Sequence, residues 1–446
     1  MKIVIAGAGE VGCHLAKMLS GSSHDIVVID DDSKRLEGVA DISDIITFIG
    51  DCTTFATLKR ASVRKCDLFI AVHPIENTNI LASILAKKLG AKKAISRIDN
   101  NEYLEPNNKE IFIEMGIDYL FYPEMVAASE IVNLLGHTST TEYVDFSGGK
   151  LSLVVFKIDG SSSLVDKTLL EATSNRDLLP YRTVAISREG ETIIPRGGDK
   201  FMDGDTIYVM SNKESVSNVM DFSGKSNFQI KNLMILGGSR IGVRVAKELE
   251  NEANIKLIEY NSDKAYRLAE TLEKTLIINE DGRDIESMLE EGMSSMDAFV
   301  AVTGRSETNI LAAMLAKRMG VKRVIAEVEN INYINLAESI GINTIINKKL
   351  ITASNIFRFT MSTDVQAIKC LTGCEAEVLE FIVKPNAPAT KQKIKDLRFP
   401  RNAMIGGIVR GDNTFIATGN MEINAYDRVV VFALPGAISR IGNYFN

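Results

Sequence analysis

The residues of this chain whose types and spacing best suit chemistry are three glycines and an acid. In "IVIAGAGEVGCHLAKML" (residues 3–19), Gly7, Gly9 and Gly12 follow an apolar run, and Asp30 closes the next such run, "DIVVID". The chemistry they suit is the holding of phosphate and ribose. Gly7 permits a tight turn, Gly9 has no Cβ to obstruct a pyrophosphate approaching the backbone, and Gly12 lets the following helix sit close to the strand. Phosphates would rest against the positive end of a helix that begins near Glu10. Asp30 accepts hydrogen bonds from adenosine ribose hydroxyls and repels a 2′-phosphate, which favours NAD(H) over NADP(H). ATP or ADP satisfies the same contacts. The competing reading is that Gly7 and Gly12 serve chain geometry alone and Asp30 caps the next helix through "DDDS".

Other polar residues fall at the same edge. Asp51, in "IGDCTT", either caps a helix through Thr53 and Thr54 or faces the adenine side of the crevice. His73 and Pro74 follow the fourth apolar run, where ligands bind in sheets of this kind. Arg97, ending "AISRI", reaches either a phosphate or a surface partner.

The phrase occurs twice. A shift of 230 positions lays Gly7 on Gly237, Gly12 on Gly242, Asp67 on Asp297 and Asn79 on Asn309, and "TNILASILAKKLGAKKAI" (78–95) on "TNILAAMLAKRMGVKRVI" (308–325). The second copy is altered at the mouth of its helix. Ser239 replaces the central glycine, Arg240 stands for Glu10, Glu259 for Asp30 and Glu327 for Arg97. A serine Cβ crowds the pyrophosphate path while an arginine attracts phosphate, so the second crevice is expected to be a weaker, altered or purely structural copy.

The elements that must position these residues follow from periodicity. In the first copy "KIVIAG", "DIVVID", "IITFIG", "DLFIAV" and "KAISRI" are strand-like, separated by amphipathic segments such as "VGCHLAKMLS" and "TNILASILAKKLG". Continuous apolar strands between helices predict an α/β fold, a doubly wound parallel sheet covered on both faces. After each copy the texture changes to short strands and turns, at 143–210 and 375–433, predicting a small α+β module behind each Rossmann-like domain. The expected boundaries are 1–137, 138–220, a linker at 221–229, 230–362 and 363–446.

Composition is that of a soluble globular protein: 446 residues, 45% apolar, 24% charged and a net charge of −7. The acidic balance disfavours nucleic acid. Five scattered cysteines suit a reducing compartment, with Cys370 and Cys374 read as unrelated thiols and no metal site expected. No apolar run approaches the ~18 residues that span a bilayer. The opening apolar stretch after Lys2 is broken by Glu10 and two glycines, unlike a signal peptide.

A dehydrogenase would need a substrate domain presenting an acid or base to the nicotinamide. All four histidines (His14, His24, His73 and His137) fall in the first third, and only His73 is placed near a cofactor's reactive end. The nucleotide is therefore expected to act as a signal, the alternative being an NAD-dependent oxidoreductase built on the first domain.

The tandem order, with "IAGAGEVG", "VVID", "FIAV", "NTNILA", "ISRI" and, in the second half, "KLIE", "FVAVT", "ETNILAAMLAKRMG" and "GGIVRG", closely resembles the TrkA family over essentially all 446 residues. These are regulatory subunits of Trk-type potassium uptake systems with two RCK (KTN) domains, each followed by a C-terminal RCK module. The resemblance implies a homo-oligomer, a dimer or tetramer forming an RCK ring, beneath a potassium channel membrane subunit. It also implies a cytoplasmic location at the inner face of the membrane and a response to NAD(H), ATP or ADP. Carried onto this chain it implies a first site at Gly7, Ala8, Gly9, Glu10, Val11, Asp30, His73, Pro74 and Arg97. The second would comprise Gly237, Gly238, Ser239, Arg240, Ile241, Glu259, Thr303, Gly304 and Glu327, the last being, with Ser239, a departure from the family pattern. The segments "YPEMVAASEIVNLL" (122–135) and "NKKLITASNIFRFTM" (347–361) fit the helices through which such domains pair, or ordinary packed terminal helices. Some modules of the C-terminal type bind cyclic di-AMP, a candidate further ligand.

Overall fold

A computed structural model of the chain describes residues 1–446 except 21–23, 43, 139, 161, 173–180, 223–227, 343, 358, 360–364 and 371–373. The described residues group into two compact units, Met1–Val126 with Lys348–Ser362, and Ala127–Asn347 with Thr363–Asn446.

The first unit alternates strand and helix: β1 (Lys2–Ala6), α1 (Glu10–Ser20), β2 (Asp25–Asp30), α2 (Ser33–Ala40), β3 (Ile45–Ile49), α3 (Phe55–Arg60), β4 (Leu68–Ala71), α4 (Glu76–Leu89), β5 (Lys93–Arg97), α5 (Pro106–Glu114) and β6 (Tyr119–Phe121). The strands form one parallel sheet in the order β3-β2-β1-β4-β5-β6. Ile3, Val4 and Ile5 are all fully buried, because helices cover both faces, and that is why these strands read as unbroken apolar runs. The chain reverses direction across the sheet between β1 and β4, and the crevice at their carboxyl ends is where this fold takes ligands. Strand β6 and helix α5 have no counterpart among the sequence expectations. The strand is only three residues long, and α5 buries none of its residues, so neither carries a readable pattern.

Helix α6 (Pro123–Gly136) begins in the first unit and from Ala127 onward belongs to the second. The second unit next contains the antiparallel strands β7 (Glu142–Phe146), β8 (Leu151–Lys157), β9 (Tyr181–Arg188), β10 (Glu191–Ile193) and β11 (Thr206–Asn212), with helices α7 (Leu169–Ala172) and α8 (Val216–Phe222). Their order is β10-β9-β11-β8-β7. Of the proposed linker, 223–227 lie outside the described residues.

The α/β pattern then repeats: β12 (Asn232–Leu236), α9 (Arg240–Leu249), β13 (Asn254–Ile258), α10 (Ser262–Thr271), β14 (Leu276–Ile278), α11 (Ile285–Glu290), β15 (Ala298–Ala301), α12 (Ser306–Arg318), β16 (Arg323–Glu327), α13 (Ile334–Ser339) and β17 (Ile345–Ile346). The order β14-β13-β12-β15-β16-β17 reproduces that of the first sheet. Buried Arg323 at the head of β16 donates to the carbonyls of Leu134 (3.1 Å) and Thr140, satisfying the carbonyl end of α6.

Helix α14 (Lys348–Phe357) follows β17 in sequence but belongs to the first unit, where it packs against α1. The last module comprises β18 (Val365–Cys370), β19 (Glu377–Ile382), β20 (Ala403–Arg410), β21 (Asn413–Ile416), β22 (Arg428–Ala433) and α15 (Pro435–Phe445), in the sheet order β18-β19-β22-β20-β21. The two antiparallel sheets share one core in the second unit, with Leu153, Tyr208 and Met210 against Val378, Val430 and Phe432. Each module carries the same arginine fork onto a buried aspartate. Arg188 donates to both carboxylate oxygens of Asp205 at 2.8 Å, and Arg410 to those of Asp427 at 2.9 and 2.8 Å.

Candidate functional site

The glycine turn of the first unit follows β1 directly. Gly7 has φ +107°, and a Cβ there would lie 2.7 Å from the backbone nitrogen of His73. A Cβ on Gly12 would lie 1.8 Å from the Gly7 carbonyl oxygen. Both glycines are therefore demanded by the fold itself. Gly9 is different: a Cβ built there meets nothing within 4 Å and its φ is not positive. The chain's own packing gives no reason for a glycine at 9, whereas an anion seated on the backbone of the turn does.

Asp30 is 2% exposed at the end of β2. One carboxylate oxygen accepts from the Ala8 N–H at 2.6 Å and the other from the Asp32 N–H at 2.9 Å, with Arg35 3.7 Å away. The cap of α2 is Asp32, which accepts from the Lys34 N–H. Asp30 thus ties the glycine turn to the second strand, and its side chain is fully covered, in part by Arg35.

Asp51 accepts from both the N–H and the hydroxyl of Thr53 at 2.7 Å, and the hydrogen bond from the hydroxyl is the main reason its carboxyl lies below the usual range. The cap of α3 is Thr54, so Asp51 fixes the turn ahead of it. Pro74 belongs to the loop between β4 and α4. His73, half-buried in the same loop, accepts through Nδ1 from the Ile75 N–H at 3.1 Å.

The loop holding His73 is locked by Asn79, 1% exposed. Its Oδ1 accepts from the His73 N–H at 2.7 Å, and its Nδ2 donates to the carbonyls of His73 (2.8 Å) and Arg97 (3.2 Å). Asn309 does the same in the second copy, with Thr303 (2.9 and 3.1 Å) and the Glu327 carbonyl (2.9 Å). Sequence reasoning used this asparagine to align the copies and gave it no role; the signal was a polar residue, repeated in both copies, in the first turn of a helix. The Arg97 guanidinium lies 3.2 Å from Asp99 and 3.8 Å from Glu124, the ion-pair arrangement rather than one aimed at the glycine turn.

In the second unit, Gly237 repeats the strained turn at φ +105°, and Gly242 approaches the Gly237 carbonyl as Gly12 approaches that of Gly7. The Ser239 hydroxyl accepts from the Gly242 N–H at 3.3 Å and caps α9. The serine therefore occupies a donor that the glycine of the first copy cannot engage with a side chain. Glu259, 4% exposed, accepts from the Gly238 and Asn261 N–H groups at 3.1 and 3.0 Å and pairs with Lys264 at 2.9 Å. Arg240 and Ile241 open α9.

A cleft of about 360 Å³ is lined by Gly237, Gly238, Ser239, Glu259, Asp281, Arg283, Thr303 and Gly304, among others. The second copy thus brings Gly237, Gly238, Ser239, Glu259, Thr303 and Gly304 to one open crevice, which Arg240 and buried Ile241 do not line. The Arg283 side chain holds the Asp281 carboxyl down to about 2.

An open parallel sheet of this order, with a glycine turn at its switch point and an acid closing the second strand, defines the Rossmann-like class of binding domains, present here in two copies. Residues 3–123 and 233–348 match the TrkA-N domain, and 153–224 and 378–446 the TrkA-C domain. The chain belongs to the TrkA family.

The chain is 32% identical, over all of both chains, to Trk system potassium uptake protein TrkA homolog 1 of Methanosarcina mazei. It is 33% identical, again over all of both, to the Trk system potassium uptake protein TrkA homolog of Archaeoglobus fulgidus. Among solved structures it resembles the GsuK channel bound to NAD, at 15% identity and a TM-score of 0.61, over 100% of this chain and 78% of that one.

Proposed function

We propose that the chain is the nucleotide-sensing regulatory subunit of a Trk-type potassium uptake channel and has no catalytic activity of its own. In this reading NAD(H) binds the first crevice through Gly7–Gly12, Asp30, Asp51, His73 and Pro74, with ATP or ADP able to make the same adenosine and phosphate contacts. Arg97 joins that site only if it leaves Asp99 and Glu124. The second crevice, at Gly237–Ile241, Glu259, Thr303 and Gly304, is a modified copy of lower phosphate affinity. The working parts are the nucleotide domains 1–137 and 230–362 and the modules 138–220 and 363–446, joined at 221–229.

The observation that carries the reading is Gly9, a glycine the fold does not need, at the one point of the turn where a pyrophosphate would approach. Family membership supports the potassium role, and the NAD-bound channel of the same fold supports the ligand class. Among the described residues no helix is long and apolar enough to cross a membrane. In this reading a membrane subunit supplies the pore, and the chain acts as a homo-oligomeric ring at its cytoplasmic face.

A nucleotide shifts such a ring only as far as it prefers one shape, about 1.4 kcal/mol per site for a tenfold preference. The test is potassium flux through the membrane subunit in vesicles containing this chain. Flux should change on adding NADH, NAD, ATP or ADP, and Gly9→Asp should abolish the response. Flux indifferent to all four nucleotides, or slow saturable NADH oxidation dependent on His73, would refute the reading, the latter favouring an oxidoreductase.

A further inference from the structure

A buried cation paired with the residue that follows Gly9 comes from the other half of the sequence. Lys349, in the first turn of α14, is 7% exposed, and its ammonium is paired with Glu10, the residue that immediately follows Gly9 and opens α1. The partners are unequal: the Glu10 side chain is 72% exposed whereas that of Lys349 is 9% exposed. His14, one turn further along α1, is kept below its usual range by burial and then by Lys349 and Lys17, so it supplies no competing charge at neutral pH. A buried lysine is costly unless a counter-charge is held against it. Here that counter-charge is an exposed carboxylate on the residue that opens the helix after the glycine turn. The charges are reversed in the other copy: Arg240 stands for Glu10, and laying residues 122–135 on 347–360, a shift of 225, places Glu124 opposite Lys349.

Resting on the reading of the first crevice as a nucleotide site, we propose that Lys349 is its phosphate-discriminating residue. In the free chain Glu10 neutralises it. A phosphate on the turn displaces the Glu10 carboxylate into solvent and takes its place beside the ammonium. The exchange favours ligands in proportion to their phosphate charge, and it makes α14, and through it the second half of the sequence, report whether the first crevice is filled.

The test is calorimetric titration of the full-length protein with ATP, ADP, NADH and adenosine, using wild type, Lys349→Met, Glu10→Gln and the double variant. Methionine keeps the volume and removes the charge, and the double variant leaves neither charge unpaired. Lys349→Met should weaken ATP by about tenfold, ADP less, and adenosine not at all, while Glu10→Gln should strengthen ATP several-fold. The double variant should lose the graded preference among ATP, ADP and adenosine. Nucleotide should also alter hydrogen exchange across 348–357 in wild type and leave it unaltered in Lys349→Met. Equal ATP affinity in wild type and Lys349→Met, or equal weakening of adenosine, overturns the proposal while leaving the nucleotide site standing. Absence of any nucleotide binding by wild type overturns both.

Discussion

At the scale of single residues the three glycines of the first turn separate into two that the backbone requires and one that it does not. Gly12→Ala places a Cβ against the Gly7 carbonyl oxygen, closer than any real contact, so the variant should lose several kcal/mol or fail to fold, as read by thermal unfolding. Gly9→Asp adds its side chain to open space, so its stability should stay within about 1 kcal/mol of wild type while nucleotide affinity collapses. Ser239→Gly should cost only a few tenths of a kcal/mol of stability, because glycine is itself a tolerated cap. It frees the Gly242 N–H that the hydroxyl occupies, so titration of the second crevice should show tighter nucleotide binding. No tightening would mean that the self-capped helix is not what weakens the copy.

At the scale of elements, the sequence pattern foretold the five longer strands of the first sheet and the repeat of that sheet, because the inner strands are buried on both faces and even the edge strand β3, with Ile46 and Ile49 exposed, keeps an apolar β-branched run. It was silent on β6 and α5, where three residues and a solvent-facing helix carry no period. It placed Asp30 and Asp51 correctly at the carboxyl edge but could not show which one caps a helix. Neither does: Asp32 and Thr54 do, since capping depends on a backbone turn that neighbouring threonines and aspartates fit equally well on paper. For Arg97, ligand contact and ion pair were both open, and only three-dimensional proximity to Glu124 distinguishes them.

Two stability predictions belong to elements. The Asp205 side chain is 1% exposed and receives two arms of Arg188, whose guanidinium still reaches water, so Asp205→Ala should destabilise the second unit by about 2 kcal/mol in denaturant unfolding, and Asp427→Ala by no more. Glu377 opens β19 with one buried carboxylate oxygen lacking a partner, and burial pushes its carboxyl up from 4.5 to about 7. Its folded form therefore holds the proton more tightly than the unfolded chain, and the stability it contributes is full below about 4.5 and lost as pH rises through about 7. Glu377→Gln should remove that decline, which is of the order of 3 kcal/mol across the window, in unfolding experiments between pH 4 and 8. An unchanged pH profile would contradict the burial argument.

At the scale of the molecule, a chain written twice has kept its architecture and diverged at its helix mouths: glycine and glutamate in one copy, a capping serine and an arginine in the other. Such divergence suits a sensor with unequal inputs, and a regulatory ring should be built from more than one chain. Light scattering at micromolar concentration is expected to give a dimer or tetramer, and a monomer would contradict the ring. The most direct test is calorimetric titration of NADH, NAD, ATP and ADP into wild type and Gly9→Asp. At least one nucleotide should bind wild type and lose at least about tenfold in the variant, while both proteins unfold at similar temperatures. Binding of equal strength to the two proteins would show that the uncrowded turn after β1 is not where the nucleotide sits.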